Sequence, residues 1–70
     1  MKIVLELFDG RKVEAVDVYD ADASVESVNI YDFDTDDFLG EFVGHIPTDI
    51  EEDDMIMDNF IVKVEEELGF

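Results

Sequence analysis

Acidic residues run through the whole chain, and their mutual repulsion constrains every element of its fold. The sequence has 21 Asp and Glu against four Lys and Arg, which gives a formal net charge of −17 over 70 residues. This net charge is larger than the roughly 2–8 charges that keep a small domain soluble. The repulsion among so many like charges destabilises a compact state. Because the acids form no separable tail, the folded unit itself carries the charge. The acidity therefore requires an explanation, and we expect that explanation to be functional.

The apolar content indicates a folded chain in spite of this charge. Acidic disordered chains are poor in apolar residues, whereas 47% of this sequence is hydrophobic and six residues are Phe. Residues 1–70 fit one small acidic α+β domain without a linker or a repeat. Since the chain has no Cys, neither a disulfide nor a thiolate metal site supports its core.

Alternating apolar residues predict a first hairpin. One strand centres on Leu5, and a second runs over residues 13–19, with an irregular step at Ala15 and Val16 that we expect to be a β-bulge. The dipeptide Asp9-Gly10 is typical of the turn between such strands. A connecting loop with an odd number of residues keeps Leu5 on the same face as Val13, which favours that register.

A second hairpin is predicted further along the chain. Val28 and Ile30 mark a third strand, residues 34–37 form an acidic turn, and residues 38–46 form a fourth strand. Gly40 and Gly44 weaken this last strand and indicate bends.

The C-terminal third predicts a helix that begins near Pro47. Thr48 suits the N-cap, Glu51 occupies the reciprocal capping-box position, and Gly69 suits the C-cap. The β-branched residues within 60–64 leave a fifth strand as the alternative for that segment. One side of the helical wheel is apolar, and it carries Ile50, Ile56, Met57, Phe60, Ile61, Val64 and Leu68. The predicted fold is a four-stranded antiparallel β-sheet packed by one C-terminal α-helix.

One acidic segment matches the beginning of a calcium loop. Asp32, Asp34 and Asp36 place carboxylates at alternate positions, as such loops do. The match then fails, because Asp37 stands where the sharp turn needs Gly and Val43 stands where a bidentate Glu should close the site. An acidic hairpin turn is the favoured interpretation, and we predict no metal site.

Catalytic motifs are absent from the sequence. His45 is the single histidine and has no nucleophile in a recognisable pattern, so it is expected to be structural or exposed. Close carboxylate pairs arise by chance in so acidic a chain, and no Gly-rich phosphate loop is present. We therefore expect neither an enzyme nor a bound cofactor.

The charge also predicts the class of partner. Nucleic acids and anionic membranes repel an acidic surface, and no apolar run approaches the ~20 residues of a membrane span. The N-terminus is too short and too soon charged for a signal peptide. We expect a cytoplasmic protein, a monomer rather than an oligomer, that binds a basic nucleic-acid-binding protein.

Three acidic clusters are the candidate partner-binding surface. Acids at a helix N-terminus are stabilising, whereas acids in the last turn are each unfavourable by a few tenths to about 1 kcal/mol. Met55 and Val62 share another side of the predicted helix, either as scattered surface residues or as a small apolar anchor for a partner. The clusters comprise Asp32, Asp34, Asp36 and Asp37, then Glu51, Glu52, Asp53 and Asp54, and finally Glu65, Glu66 and Glu67.

In size, charge and lack of catalytic motif, the chain resembles the small acidic DNA-mimic inhibitors of phages and mobile elements. These include anti-CRISPR proteins, anti-restriction proteins and inhibitors of uracil-DNA glycosylase. The resemblance covers the whole chain without a family motif. It implies an anti-CRISPR protein that acts in the host cytoplasm and blocks binding of target DNA, or of its PAM, in a basic channel of a CRISPR-Cas effector.

Three other functions fit the same composition. Inhibition of a restriction or repair enzyme is the first alternative, and it rests on the same resemblance. An acidic domain from a halophile would carry the charge for solvation, although abundant Phe and Ile fit that interpretation less well. A calcium-binding or acidic adaptor module is the third alternative, because any basic partner satisfies the same electrostatics.

Overall fold

The computed structural model describes all 70 residues and contains four strands followed by one helix. Strands β1 (Lys2–Glu6), β2 (Lys12–Asp20), β3 (Val25–Asp32) and β4 (Phe38–Val43) form a single antiparallel sheet in sequence order. Helix α1 (Asp54–Leu68) completes the chain. The predicted ββββα arrangement is confirmed.

The register of the first hairpin follows the apolar pattern. Glu6 faces Lys12, so a five-residue loop connects β1 to β2, and Leu5 faces Val13 on the buried side of the sheet. The predicted odd-numbered loop is confirmed. Gly10 adopts φ +91° within this loop, a conformation that favours glycine.

The predicted bulge at Ala15 and Val16 is wrong. Pairing between β1 and β2 is continuous, and the irregularity lies instead between β3 and β4, where Leu39 is the extra residue. The alternation is interrupted in the sequence because Val16, an apolar residue, faces away from the core and is nevertheless half-buried. Strand β2 thus carries apolar residues on both faces.

Helix α1 covers one face of the sheet and closes a wholly apolar core. Phe60, Ile61 and Val64 are the buried residues of the helix, and no polar or charged residue is buried anywhere in the protein. Each fully buried Val, Leu or Ile contributes about 1.5–3 kcal/mol, so the core offsets the surface repulsion. The thirteen buried residues are Ile3, Leu5, Leu7, Val13, Ala15, Val28, Ile30, Phe42, Ile46, Ile50, Phe60, Ile61 and Val64.

Residues 44–53 connect β4 to α1 and differ from the prediction at both ends. Strand β4 ends at Val43, because Gly44 adopts φ +147° and leaves the extended conformation. Ile46 and Ile50 are buried in the core, so they fix this connection against the sheet in a series of turns. The predicted fourth strand was therefore three residues too long.

The predicted capping box at Thr48 and Glu51 is wrong as well. Both residues lie in turns before the helix, and Asp53 is the N-cap, with a side chain that accepts a hydrogen bond from the Met55 N–H at 2.9 Å. Since Ile50 is held in the core by the preceding turn, the helix begins only after it.

The end of α1 agrees with the prediction. Residues 60–64 are helical, because burial of Phe60, Ile61 and Val64 outweighs the small propensity cost of β-branched residues. Gly69 adopts φ +73°, and both its N–H and that of Phe70 bond to the Glu65 carbonyl, as in a left-handed C-cap.

Gly40 sets the distance between the sheet and the helix end. A Cβ at this position would overlap the Leu68 Cδ2 methyl group. We expect Gly40→Ala to destabilise the protein by about 1–3 kcal/mol, as overpacking does. In a Leu68→Ala background, Gly40→Ala should lower the free energy of unfolding by a smaller amount. Urea unfolding of the wild type, both single variants and the double variant measures this coupling. Equal costs in both backgrounds would show that the contact does not limit packing.

Candidate acidic interface

The basic side chains compensate little of the negative charge. The protein has two ion pairs, Lys2 to Glu14 at 3.4 Å and Arg11 to Asp9 at 4.0 Å. The Arg11 guanidinium also lies 4.3 Å from the centre of the Phe70 ring. Lys63, the single base of α1, lies 5.6 Å from the centre of the Phe42 ring and pairs with no acid. Most carboxylates therefore have no cationic partner within the protein.

Six of the acidic side chains have a structural role, because each accepts a hydrogen bond from a backbone N–H. Such a bond satisfies a donor that a turn or a helix start leaves unpaired. Asp17 accepts from the Ile46 N–H at 2.8 Å and thereby holds the β4–α1 connection to β2. The six residues are Asp9, Asp17, Asp20, Asp32, Asp53 and Glu65.

The first predicted cluster contains one of these structural acids. Asp32 accepts hydrogen bonds from the N–H groups of Asp34 at 2.9 Å and Thr35 at 3.0 Å. The bond from Thr35, then that from Asp34, holds the pKa of the Asp32 carboxyl below its ordinary value of 3.8, with a smaller contribution from Arg11. Asp34, Asp36 and Asp37 are exposed, and their side chains accept no hydrogen bond within the protein.

This turn is a hairpin connection between β3 and β4. Asp36 adopts φ +61°, and its N–H bonds to the Asp32 carbonyl at 2.9 Å. No group of three or more His, Cys, Asp or Glu side chains in the protein is arranged to hold a metal ion. The geometry gives no support to the calcium alternative.

The second predicted cluster precedes and begins α1. Glu51 and Glu52 are exposed in turns, Asp53 is the N-cap, and Asp54 opens the helix. Negative charge at this end is favourable, because the helix dipole is positive there. Asp53 and Asp54 are thus explained by helix stability, whereas Glu51 and Glu52 are not.

In the third cluster, at the end of α1, one hydrogen bond distinguishes Glu65 from the other two acids. Glu65 is half-buried, and its Oε1 accepts from the Phe8 N–H at 3.1 Å, which attaches the β1–β2 loop to the helix. Sequence gave no sign of this bond, because its partners are far apart in the chain. Glu66 and Glu67 are exposed and have neither a hydrogen bond nor an ion pair in the protein.

The fold brings two of the three clusters to the same end of the molecule. The β1–β2 loop and the β3–β4 turn lie at one end of the sheet, and the Glu65–Phe8 bond places the end of α1 beside them. Residues 51–54 lead into the start of α1, which lies near the other end of the sheet because Ile56 and Val43, the last residue of β4, border the same groove. The candidate residues therefore form two acidic ends rather than one continuous surface.

The remaining candidates lie on the helix surface and beside it. Met55 and Val62 are 71% and 41% exposed, so both are accessible as the predicted apolar anchor. They are seven residues apart in α1, which places them on one side of the helix. His45 is exposed and borders a groove with Lys63 and Pro47 between β4 and α1. The anchor stays a prediction.

Asp17 and Asp20 were not recognised as structural residues from sequence. Asp20 accepts hydrogen bonds from the N–H groups of Asp22 and Ala23, which is a local turn pattern. An Asp directly before a polar loop is a sequence signal for this pattern. Asp17 offers no such signal, because its partner Ile46 is far away along the chain.

Comparisons with known proteins give no indication of identity. The chain matches no protein-family model, no curated protein and no solved structure. The single helix is too short and too polar to cross a membrane.

We predict that neighbouring acids at the end of α1 have opposite effects on stability. Glu65→Ala removes the acceptor of the Phe8 N–H and should lower the free energy of unfolding by about 1 kcal/mol. Glu66→Ala removes an exposed charge from the negative helix end and should raise it by a few tenths of a kcal/mol. Urea unfolding of both variants measures the difference. Equal effects would contradict the role assigned to Glu65.

The lowered pKa of Asp32 predicts a pH-dependent contribution to stability. Because the folded state favours the ionised carboxyl, this contribution is present above pH 3.8 and is lost as the pH falls through the lower folded value. The stability difference between wild type and Asp32→Asn should therefore shrink below pH 3.8. Asp34→Asn is the matched control. A difference that persists unchanged at low pH would exclude the proposed ionic contribution.

Proposed function

We propose that this protein is a DNA mimic that inhibits a basic nucleic-acid-binding protein, with a CRISPR-Cas effector as its target. The observation that supports this proposal is the set of exposed carboxylates at both ends of the molecule that have neither a hydrogen bond nor an ion pair within the protein. Asp34, Asp36, Asp37, Glu66 and Glu67 form this set at one end. Their side chains accept no hydrogen bond that caps the helix or closes the turn.

The charge density of the protein is comparable to that of duplex DNA. The longest dimension is 36 Å, and a duplex of that length carries about 21 phosphate charges at one per ~1.7 Å. The protein carries 21 carboxylates and a net charge of −17. A Lys- and Arg-lined channel that binds DNA through its phosphates can therefore meet a similar number of anions on this protein.

Carboxylates are suitable substitutes for phosphates in such a channel. Each accepts charge-assisted hydrogen bonds from Arg or Lys, and Arg can bond a carboxylate through two parallel N–H groups. The negative field also steers the protein toward a basic surface and accelerates association. Inhibition should follow from occupation of the channel, without any chemical step.

A competition assay tests the proposal. Fluorescence anisotropy measures binding of a labelled target duplex to a guide-loaded CRISPR-Cas effector while the protein is added. We expect displacement of the duplex that weakens as salt rises from about 0.05 to about 0.3 M, because screening shortens the range of surface charges. If no effector tested loses its duplex at low salt, the proposal of a CRISPR-Cas target is wrong. If the protein instead displaces DNA from a restriction or repair enzyme, DNA mimicry is supported and that enzyme class is the target.

Two variants, each with several substitutions, identify the acids that contribute to inhibition. One variant changes Asp34, Asp36 and Asp37 together to Asn, and the other changes Glu66 and Glu67 together to Gln. Each variant should weaken inhibition by about tenfold or more, since charge-assisted hydrogen bonds contribute about 1.5–3 kcal/mol each. Asn suits the left-handed backbone at Asp36.

A paired Glu51→Gln, Glu52→Gln variant tests the other acidic end in the same assay. Unchanged or raised unfolding free energies confirm that each variant is folded. Full inhibition by all three variants would contradict the charge-mimic mechanism.

A further inference from the structure

The face of the sheet opposite α1 carries an unusual number of apolar side chains. An antiparallel sheet with one solvated face normally alternates apolar residues toward the core with polar residues toward water. Here the cross-strand register places many apolar residues on the outer face as well. They are Val4, Val16, Val18, Val25, Tyr31, Phe38 and Val43.

Two of these residues are direct cross-strand partners, and the others pair with polar residues. Tyr31 pairs with Phe38, and their rings meet edge to face with centres 5.6 Å apart. At the other end of the sheet, Ser27 pairs with both Val18 and Val43. Phe38 and Val43 are 56% and 73% exposed, so neither is covered by the protein itself. The outer face therefore carries exposed apolar side chains at both ends, with polar side chains between them.

The outer face contains one groove, which we call the sheet groove. It lies where β3 and β4 meet the β2–β3 loop and has a volume of about 460 Å³. Val25 and Val43 provide apolar walls, and the carboxylates of Asp20 and Glu41 lie along its lining. Its remaining lining residues are Ala23, Ser27 and Phe42.

The two carboxylates of the sheet groove differ in their constraints. Asp20 Oδ1 accepts from the N–H groups of Asp22 and Ala23, which fixes the orientation of this side chain. Glu41 is exposed and has neither a hydrogen bond nor an ion pair within the protein. The groove thus combines one oriented carboxylate and one free carboxylate with apolar walls.

Charge complementarity selects the occupant. A second copy of the chain would bring another −17 charges to the same face, and nucleic acid would also be repelled. A basic side chain with a long aliphatic stem matches both parts of the lining. Arginine matches better than lysine, because its guanidinium is less strongly hydrated and can donate two parallel N–H groups to one carboxylate in a fixed geometry.

We propose that the sheet groove binds an arginine side chain of a basic protein partner, with the stem against Val25 and Val43 and the guanidinium on the free carboxylate of Glu41. This inference deepens the proposed function and rests on it for the identity of the partner. It adds a surface with apolar contacts to the two acidic ends. Such a surface would let the protein select one basic partner among many, since charge alone attracts them all.

Titration with a small probe tests the groove independently of any partner. We would follow backbone amide signals of ¹⁵N-labelled protein as N-acetyl-arginine methylamide is added, with the citrulline analogue as an uncharged control of similar shape. We expect saturable shifts centred on Val25, Ser27, Glu41 and Val43 with the arginine probe, and none of comparable size with citrulline. Glu41→Gln should weaken this binding at least about threefold, whereas Glu66→Gln should not.

The opposite results would overturn the inference. Shifts spread over all acidic clusters would indicate non-specific attraction, and equal shifts with citrulline would exclude recognition of the guanidinium. Either result leaves the competition assay unaffected. Conversely, the arginine probe could bind saturably at the groove while the protein displaces DNA from no effector, restriction enzyme or repair enzyme. That result would support the groove and contradict the DNA-mimic function.

Discussion

The packing of α1 on one face of the sheet is the interaction on which the rest of this structure depends. It buries thirteen apolar residues and no charged one, so no carboxylate is fully removed from water on folding. Repulsion among the acids is thereby confined to the water-exposed surface, where solvent and salt weaken it. Gly40 permits the close contact with Leu68 at one end of the helix, and Ile46 and Ile50 anchor its approach at the other.

The acidic residues divide into two groups with different physical roles. Six carboxylates accept backbone hydrogen bonds and hold turns, the helix start or the connection between distant segments. Glu66, Glu67 and the acids of the β3–β4 turn beyond Asp32 make no such bonds. Glu66 and Glu67 also oppose the helix dipole, because α1 has no basic residue in its last turn. The proposal of a binding function therefore rests on a smaller set of acids than the total charge suggests.

The sequence predicted elements that depend on local patterns and missed features that depend on distant contacts. The sheet, the odd-numbered first loop and the Gly69 cap follow from alternation and turn chemistry. The helix start was misplaced, because burial of Ile50 by tertiary contacts overrides the local signal at Thr48. The Asp17–Ile46 and Glu65–Phe8 bonds were invisible for the same reason. The sheet groove depends on register, so its residues become a group only in the folded protein.

We propose that the protein carries its excess charge for binding and not for folding in concentrated salt. Thermal unfolding monitored by circular dichroism, from about 0.05 M to molar salt, tests this claim most directly. We expect a cooperative transition at the lowest salt, with a midpoint that rises modestly as repulsion is screened. A chain that is unfolded below about molar salt would instead show that the acidity serves solvation in a saline environment.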